Sequence, residues 1–290
     1  MPKKNEKFVL TQENYYGEQA NKLYMSKSQF HSFQMCEAAT LAEINGEWER
    51  GPSVALSVGS FIDAALDSDE ELQKFCESHP EIYTAKKELK AEYKKASESV
   101  ARTKMDRLFT LLMSGEKQVI LEGTIGGVKF RGKADVINNV EICKQIMAEF
   151  PDTAEILGGP YCEGCIVDLK STKDFEPIWS DSEGRKVNWC DFYGYPTQGA
   201  VYRELYRQMT GKKLPFVICG VTKETQPDIG AFAFPGAHLD AALHEVEQMA
   251  PHYQAVKNGT VAPVRCGHCN YCKATRKLDR IVNYKEFDFM

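Results

Sequence analysis

The hydrophobic pattern of this chain alternates between helical and strand periods. The segment "MSKSQFHSFQMCEAATLAEI" (25–44) opens on Ser26 or Ser28 as an N-cap and repeats Phe30, Phe33 and Ala38 at helical spacing. "SVALSVGSFIDAAL" (53–66) predicts a second helix, and residues 70–113 a charged helical stretch. From 118 the period shortens. "QVILEGTIGGVKFRGKADVINN" predicts a hairpin turning at Ile-Gly-Gly and then a third strand, Ala134–Ile137. "GCIVDLKST" predicts another strand. The period then lengthens over "WCDFYGYPTQGAVYRELYRQMTG" (189–211), where 195, 201, 202, 205, 206 and 209 form a buried stripe and Gly211 a stop. "LPFVICGVTKE" and "AFAFP" predict two more strands, and 238–257 a final long helix; residues 1–25 read as irregular and polar. The order is α/β (α+β): a mixed central sheet flanked by helices, with a helical N-terminal region and a cysteine-cluster tail.

Composition narrows the function classes. The 290 residues, 43% of them hydrophobic and 27% charged, supply enough apolar surface for one large domain. A net charge of −5 argues against coating nucleic acid by bulk charge but leaves room for a local basic track. Lysines and arginines at 86, 87, 90, 94, 95, 102, 104 and 107 read as a solvated helix face or as a phosphate-facing arm. "MPKKNEKFVL" has no apolar run after its lysines, and no 18-residue apolar stretch follows, so the expected location is cytoplasmic, with no membrane partner. With no secretion signal, ten cysteines point to metal binding or burial rather than disulfides.

The chemistry gathers on the strands. Asp168 and Lys170 stand two apart in "IVDLKST", so an extended chain projects both to one face. Asp135, in "GKADVI" on the preceding strand, can meet them there. Close carboxylates oppose each other's ionisation unless a cation sits between them, and all-oxygen ligands suit Mg2+ or Mn2+. An adjacent lysine can orient a water or offset charge on a phosphate. Taken alone, Asp-x-Lys reads as a strand-end salt bridge.

The run "GKADVI … IVDLKST … QGAVY" resembles the PD-(D/E)XK nuclease superfamily, and within it the RecB-type branch that includes phage exodeoxyribonuclease VIII-like proteins. The resemblance implies a restriction-endonuclease-like fold. It assigns Asp135 to the first motif acid, Asp168 and Lys170 to the D/E-x-K pair, and Gln198 and Tyr202 to the Q-x-x-x-Y motif. Gln198 and Tyr202, four apart, share a helix face. The family often adds a ligand from G-x-x-x-H in an N-terminal helix; "GSFID" has Gly59 but Asp63 at the histidine position, an oxygen donor. Glu122 in "LEGTI" stands where relatives often carry a supporting acid. The whole chain, 1–290, then reads as one nuclease domain: a helical part (24–113), a catalytic sheet with the Q-x-x-x-Y helix (114–235), and a C-terminal helix with cysteines (236–290).

Cys266, Cys269 and Cys272 are spaced C-x2-C-x2-C in a polar context, one thiol short of a four-ligand site. His268, inside the same tight loop, would be an awkward fourth. In several RecB-type nucleases one cysteine of the first helix and three near the C-terminus hold a [4Fe–4S] cluster. That resemblance assigns Cys36 as the fourth ligand. The resemblance implies a [4Fe–4S] cluster on these four cysteines, while the triplet spacing, which departs from the usual C-x2-C-x5-C, leaves Zn2+ as the alternative. Cys162 and Cys165 read as structural, at the entry of the strand, or as half a zinc site; Cys76, Cys143, Cys190 and Cys219 read as solitary buried thiols.

The function implied is a Mg2+-dependent DNA exonuclease of phage or prophage recombination or DNA repair. Its substrate would be linear duplex ends, its setting a bacterial host, and a single-strand annealing recombinase is a candidate partner. Lys273, Arg276, Lys277 and Arg280 join the helical basic residues as candidate backbone contacts. The alternative is a catalytically inactive or accessory DNA-binding module of a replication or recombination complex that keeps the fold; the aspartate at 63 and the acidic net charge keep it open, while the full set of motif residues argues against it. Oligomeric state is not legible.

Overall fold

The computed structural model describes residues 8–49, 51, 53–180, 183–278, 280, 281 and 283, so the first seven residues of the N-terminal segment expected to be irregular lie outside it. In chain order the first helices are α1 (Glu18–Leu23), α2 (Lys27–Met35), α3 (Glu37–Ile44), α4 (Val54–Asp67), α5 (Asp69–Ser78), α6 (Ala91–Lys104) and α7 (Arg107–Leu112). Strands β1 (Glu116–Ile125) and β2 (Val128–Asn138) follow, then α8 (Val140–Glu149), α9 (Ala154–Leu157) and β3 (Cys165–Thr172). The remainder is β4 (Ile178–Ser180), β5 (Arg185–Val187), α10 (Trp189–Phe192), α11 (Tyr195–Thr210), β6 (Phe216–Thr222), β7 (Ile229–Ala233), α12 (Gly236–Lys257) and α13 (Asn270–Ala274). Two units divide the chain: residues 1–51, 123–131 and 244–290 form one, and 52–122 with 132–243 the other. Among the described residues no helix is long and apolar enough to cross a membrane.

The larger unit is built on a five-stranded mixed sheet in the order β1-β2-β3-β6-β7. β2 and β3 run antiparallel, β3 and β6 parallel, and β6 and β7 antiparallel. β6 is buried at every position and β3 at its first five, as expected of central strands covered on both faces. Val58, Ile62, Ala96, Val100, Ile146, Val167, Val217 and Val221 belong to one core, in which α4, α6 and α8 meet the sheet. Each fully buried aliphatic side chain contributes about 1.5–3 kcal/mol. Ser99 of α6 donates to the carbonyl of Thr222 at 2.9 Å, tying that helix to β6.

Several elements differ from expectation. The hairpin turns at Gly126 and Gly127, whose φ angles of 57° and 77° suit a two-residue turn that only glycine adopts readily. The expected third strand is the continuation of β2, because nothing interrupts the ladder between Val128 and Asn138. The helical pattern over 25–44 splits at Cys36, which is extended (φ −167°, ψ 107°) and ends α2 as it begins α3; Ser26 caps α2. The 189–211 helix breaks at left-handed Gly194 into α10 and α11. The charged 70–113 stretch is three helices with an intervening turn, and α8 lies in a segment with no expected element.

Candidate active site and cysteine centre

β2 and β3 carry the acids. Val136 faces Val167 in the antiparallel register, so Asp135 and Asp168 are the next facing pair and share a face of the sheet. Asp135 stands three residues before the end of β2, not early in a strand, and Asp168 and Lys170 stand inside β3 rather than at its end. The sheet therefore buries what a strand end would expose: Asp168 is 1% exposed.

A buried carboxylate persists only if its oxygens are met. Gln198, in the second turn of α11, donates from Nε2 to Asp168 Oδ1 at 2.6 Å. The Lys170 ammonium forms an ion pair with Asp168 Oδ2. Burial alone would pull Lys170 down, but Asp168 and Asp135 outweigh it and hold the ammonium well above its ordinary range. Its Nζ lies 5.5 Å from the centre of the Tyr195 ring, a cation–π contact. Burial raises the Tyr195 hydroxyl. Asp135 Oδ2 accepts from the Leu169 backbone N–H at 2.8 Å, and Gln118 Nε2 reaches Oδ1 at 3.4 Å.

α4 supplies the third carboxylate. It packs on β3, where a Cβ at Gly59 would stand 3.6 Å from Ser171 Oγ; Asp63, one turn on, shares that helix face. Asp63 and Asp135 line one recess with Asp67, Lys117, Gln118 and Leu169, leaving about 10 Å³, room for a single ion or water. The crowding protein and the charge of Asp135, helped by Asp168, push Asp63 up to about 7. Its side chain is exposed, so solvent screens part of the burial cost, and repulsion from the other carboxylates carries the direction. Asp63 and Asp135 share this recess, Asp168 faces Asp135 from β3, and such hard oxygen donors suit Mg2+ or Mn2+.

Tyr202, one turn beyond Gln198, packs its ring against β2: a Cβ at Gly132 would come within 2.8 Å of it. Glu122 lies farther along β1, exposed, and the recess takes Lys117 and Gln118 from that strand instead. Tyr195, Lys117 and Gln118 were missed. Tyr195 sits three residues before Gln198 on α11, so helical spacing counted from the break at Gly194 would have found it. Gln118 has φ 53°, a left-handed backbone with no sequence signature. Of the basic arm, Arg107 is held by Glu149 through two 2.8 Å bonds and Lys94 pairs with Glu88.

In the other unit, the Sγ atoms of Cys36, Cys266, Cys269 and Cys272 all lie within 4.8 Å of one another. Cys36 and Cys272 are 3.7 Å apart, and Cys266 and Cys272 3.9 Å. The backbone N–H groups of Cys269 and Cys272 point at the sulfurs of Cys266 and Cys269, both at 3.4 Å. Burial works against a thiolate at Cys266, but surrounding N–H groups prevail and bring it down to about 6. Glu37, beside Cys36, clasps the tail: its carboxylate accepts from the Val264 N–H at 2.8 Å and meets His252 Nε2 at 2.8 Å. By contrast, Cys165 is fully buried in the sheet core, with half-buried Cys162 packed beside it. Cys143, Cys190 and Cys219 are buried thiols and Cys76 is half-buried.

A family model described as a PDDEXK-like domain of unknown function (DUF3799) matches residues 26–144 and 161–275. The crystal structure of a "Putative exonuclease" from Eubacterium rectale is similar over 96% of this chain and 97% of that one, with 38% identity and a TM-score of 0.82. No curated protein matches. The family model spans most of the chain, and the chain belongs to the PDDEXK-like DUF3799 family.

Proposed function

We propose that the chain is a divalent-metal-dependent DNA nuclease that acts from free ends, an exonuclease of the RecB-type branch. The observation that carries this reading is the convergence on Asp168 of Lys170, Gln198 and, from the neighbouring strand, Asp135. A salt bridge that served stability alone would need neither the buried glutamine nor the crowded aspartates. The relative from Eubacterium rectale carries the same class of activity in its description.

Asp135, Asp168 and Asp63 would hold Mg2+ or Mn2+. Once bound, the ion supplies a water of lowered pKa and offsets charge on the phosphate oxygens. The chain's own groups do the rest. Lys170, paired with Asp168, would stabilise charge developing on the scissile phosphate and orient the attacking water. Gln198, donating to Asp168 Oδ1, would hold the orientation of that carboxylate. Tyr202 sets the distance between α11 and β2 through Gly132. Glu122 would support the site only from a distance.

For the four cysteines we favour one tetrahedral zinc ion over a [4Fe–4S] cluster. Four thiolates on a single ion at about 2.3 Å stand roughly 3.8 Å apart, close to the 3.7 and 3.9 Å found here. In a cubane each thiolate binds its own iron, so the sulfurs stand apart by the width of the cube as well. The tail basic residues and the exposed part of the 86–107 arm would meet the DNA backbone. A phage or prophage recombination system in a bacterial cytoplasm, with a strand-annealing recombinase as partner, is the setting the RecB-type resemblance implies.

The test incubates purified protein with linear, circular and single-stranded DNA, with and without Mg2+. Linear DNA should be degraded only with metal, and Asp168→Ala or Lys170→Ala should lower the rate by at least about a thousandfold while circular dichroism stays native. Undiminished cleavage in either variant would overturn the mechanism. An inactive wild type showing no Asp168-dependent Mn2+ binding would favour the accessory module.

A further inference from the structure

An aromatic row leads out of the candidate active site to the surface of the same unit. Tyr195, whose ring carries the Lys170 ammonium, stacks on Tyr193 with ring centres 5.7 Å apart and planes 30° apart. Tyr193 meets Phe192 edge-on at 5.2 Å. Burial divides the row sharply. Tyr195 is 9% exposed, whereas Tyr193 and Phe192 are each 39% exposed. The break at Gly194 makes the division: it ends α10 and starts α11 in a new direction, turning Tyr195 in and leaving its two predecessors out. Trp179, 56% exposed, stands on β4, which packs against α10, with Lys186 its cross-strand partner on β5. Phe192, Tyr193 and Trp179 are thus partly exposed on the unit that holds the buried acids. Nearby, buried Trp189 packs against half-buried Phe175 and Phe232.

Resting on the nuclease reading above, we infer that Tyr193, flanked by Phe192 and Trp179, stacks on an unpaired base of the strand whose phosphate reaches Lys170. Steps of 5.5 Å and 5.7 Å place the Tyr193 ring at most about 11 Å from the Lys170 ammonium, within about three nucleotides at roughly 3.4 Å rise each. Aromatic stacking needs a free base face and is tolerant of sequence. Paired bases inside a duplex offer no such face. The row therefore selects a strand that arrives single-stranded or frayed, and does so without reading its sequence. Lys186 lies where the backbone of such a strand can be met. Because Tyr195 meets both the Lys170 ammonium and the Tyr193 ring, an occupied Tyr193 also steadies the lysine.

Fluorescence anisotropy with a labelled single-stranded oligonucleotide and a blunt duplex hairpin, in Ca2+ to prevent cleavage, tests this. Tyr193→Ala should weaken single-strand binding roughly tenfold or more, shift duplex binding by less than about twofold, and Tyr193→Phe should restore the wild-type affinity. Single-strand binding of Tyr193→Ala within about twofold of wild type, or equal losses on both probes, overturns the stacking role. Wild type cutting DNA in an Asp168-dependent way alongside an unaffected Tyr193→Ala sinks the stacking role alone. Wild type that neither binds nor cuts DNA sinks the nuclease reading with it.

Discussion

Replacing Lys170 by methionine separates the charge balance of the site from its chemistry. Asp168 is 1% exposed, with Lys170 on one oxygen and Gln198 on the other. Methionine keeps the stem and removes the cation, leaving a buried carboxylate with one neutral donor. Breaking a buried pair from one side costs about 3–5 kcal/mol. For a chain of this size each kcal/mol moves Tm by about 2–4 °C, so Lys170→Met in chelator should melt at least about 6 °C below wild type. A divalent ion should then restore much of the loss. At a hundred times its Kd a ligand stabilises by about 2.7 kcal/mol, and in Lys170→Met the ion meets no competing ammonium on Asp168. Differential scanning fluorimetry with Mn2+ should therefore show a larger metal-induced rise in the variant than in wild type. Adding Asp168→Asn to Lys170→Met should recover stability in chelator, because no buried charge is left unbalanced. An unchanged Tm in chelator, or equal rises with metal in both proteins, would refute the proposal that Asp168 is held for a cation.

Three further outcomes follow from the geometry. The Asp63 carboxyl, raised to about 7 against an ordinary value near 4, gives stability that is complete below about pH 4 and is lost as pH rises toward 7. In chelator, Asp63→Asn should flatten that dependence and gain about 1 kcal/mol at pH 8 after allowance for its exposure; an unaltered profile in urea melts at several pH values would remove Asp63 from the charge cluster. Cys36→Ser should lower zinc content measured by atomic absorption and destabilise the unit containing α3, whereas a brown preparation carrying iron and acid-labile sulfide would overturn the single-ion reading. Gly132→Ala should destabilise by about 1–3 kcal/mol through its contact with Tyr202, and Tyr202→Ala in the same chain should cost less than the sum of the two; additive losses would mean the ring does not pack there.

The sequence alone determined the class of the fold and the kind of chemistry. Periods of 3.6 and 2 are local properties, so α4, α11, α12, β3 and β6 were legible within a few residues, and the pairing of Asp168 with Lys170 on one face followed from strand geometry. Gln198 and Tyr202 shared a face for the same reason. What those side chains meet depends on contacts far apart in sequence, and only the tertiary structure decided it. Asp168 proved buried because β3 is a central strand, which its own eight residues do not reveal. Gln198 turned to Asp168 across 30 residues, and the Tyr202 ring packed on Gly132. Breaks at Cys36 and Gly194 were invisible to a periodic pattern, which tolerates one residue in a different conformation. They are nonetheless what set Cys36 among the tail cysteines and divided the aromatic row into a buried and an exposed half. The cysteines could be counted in the chain; the gathering of four sulfurs within 4.8 Å exists only once 236 residues of chain bring Cys36 to Cys272.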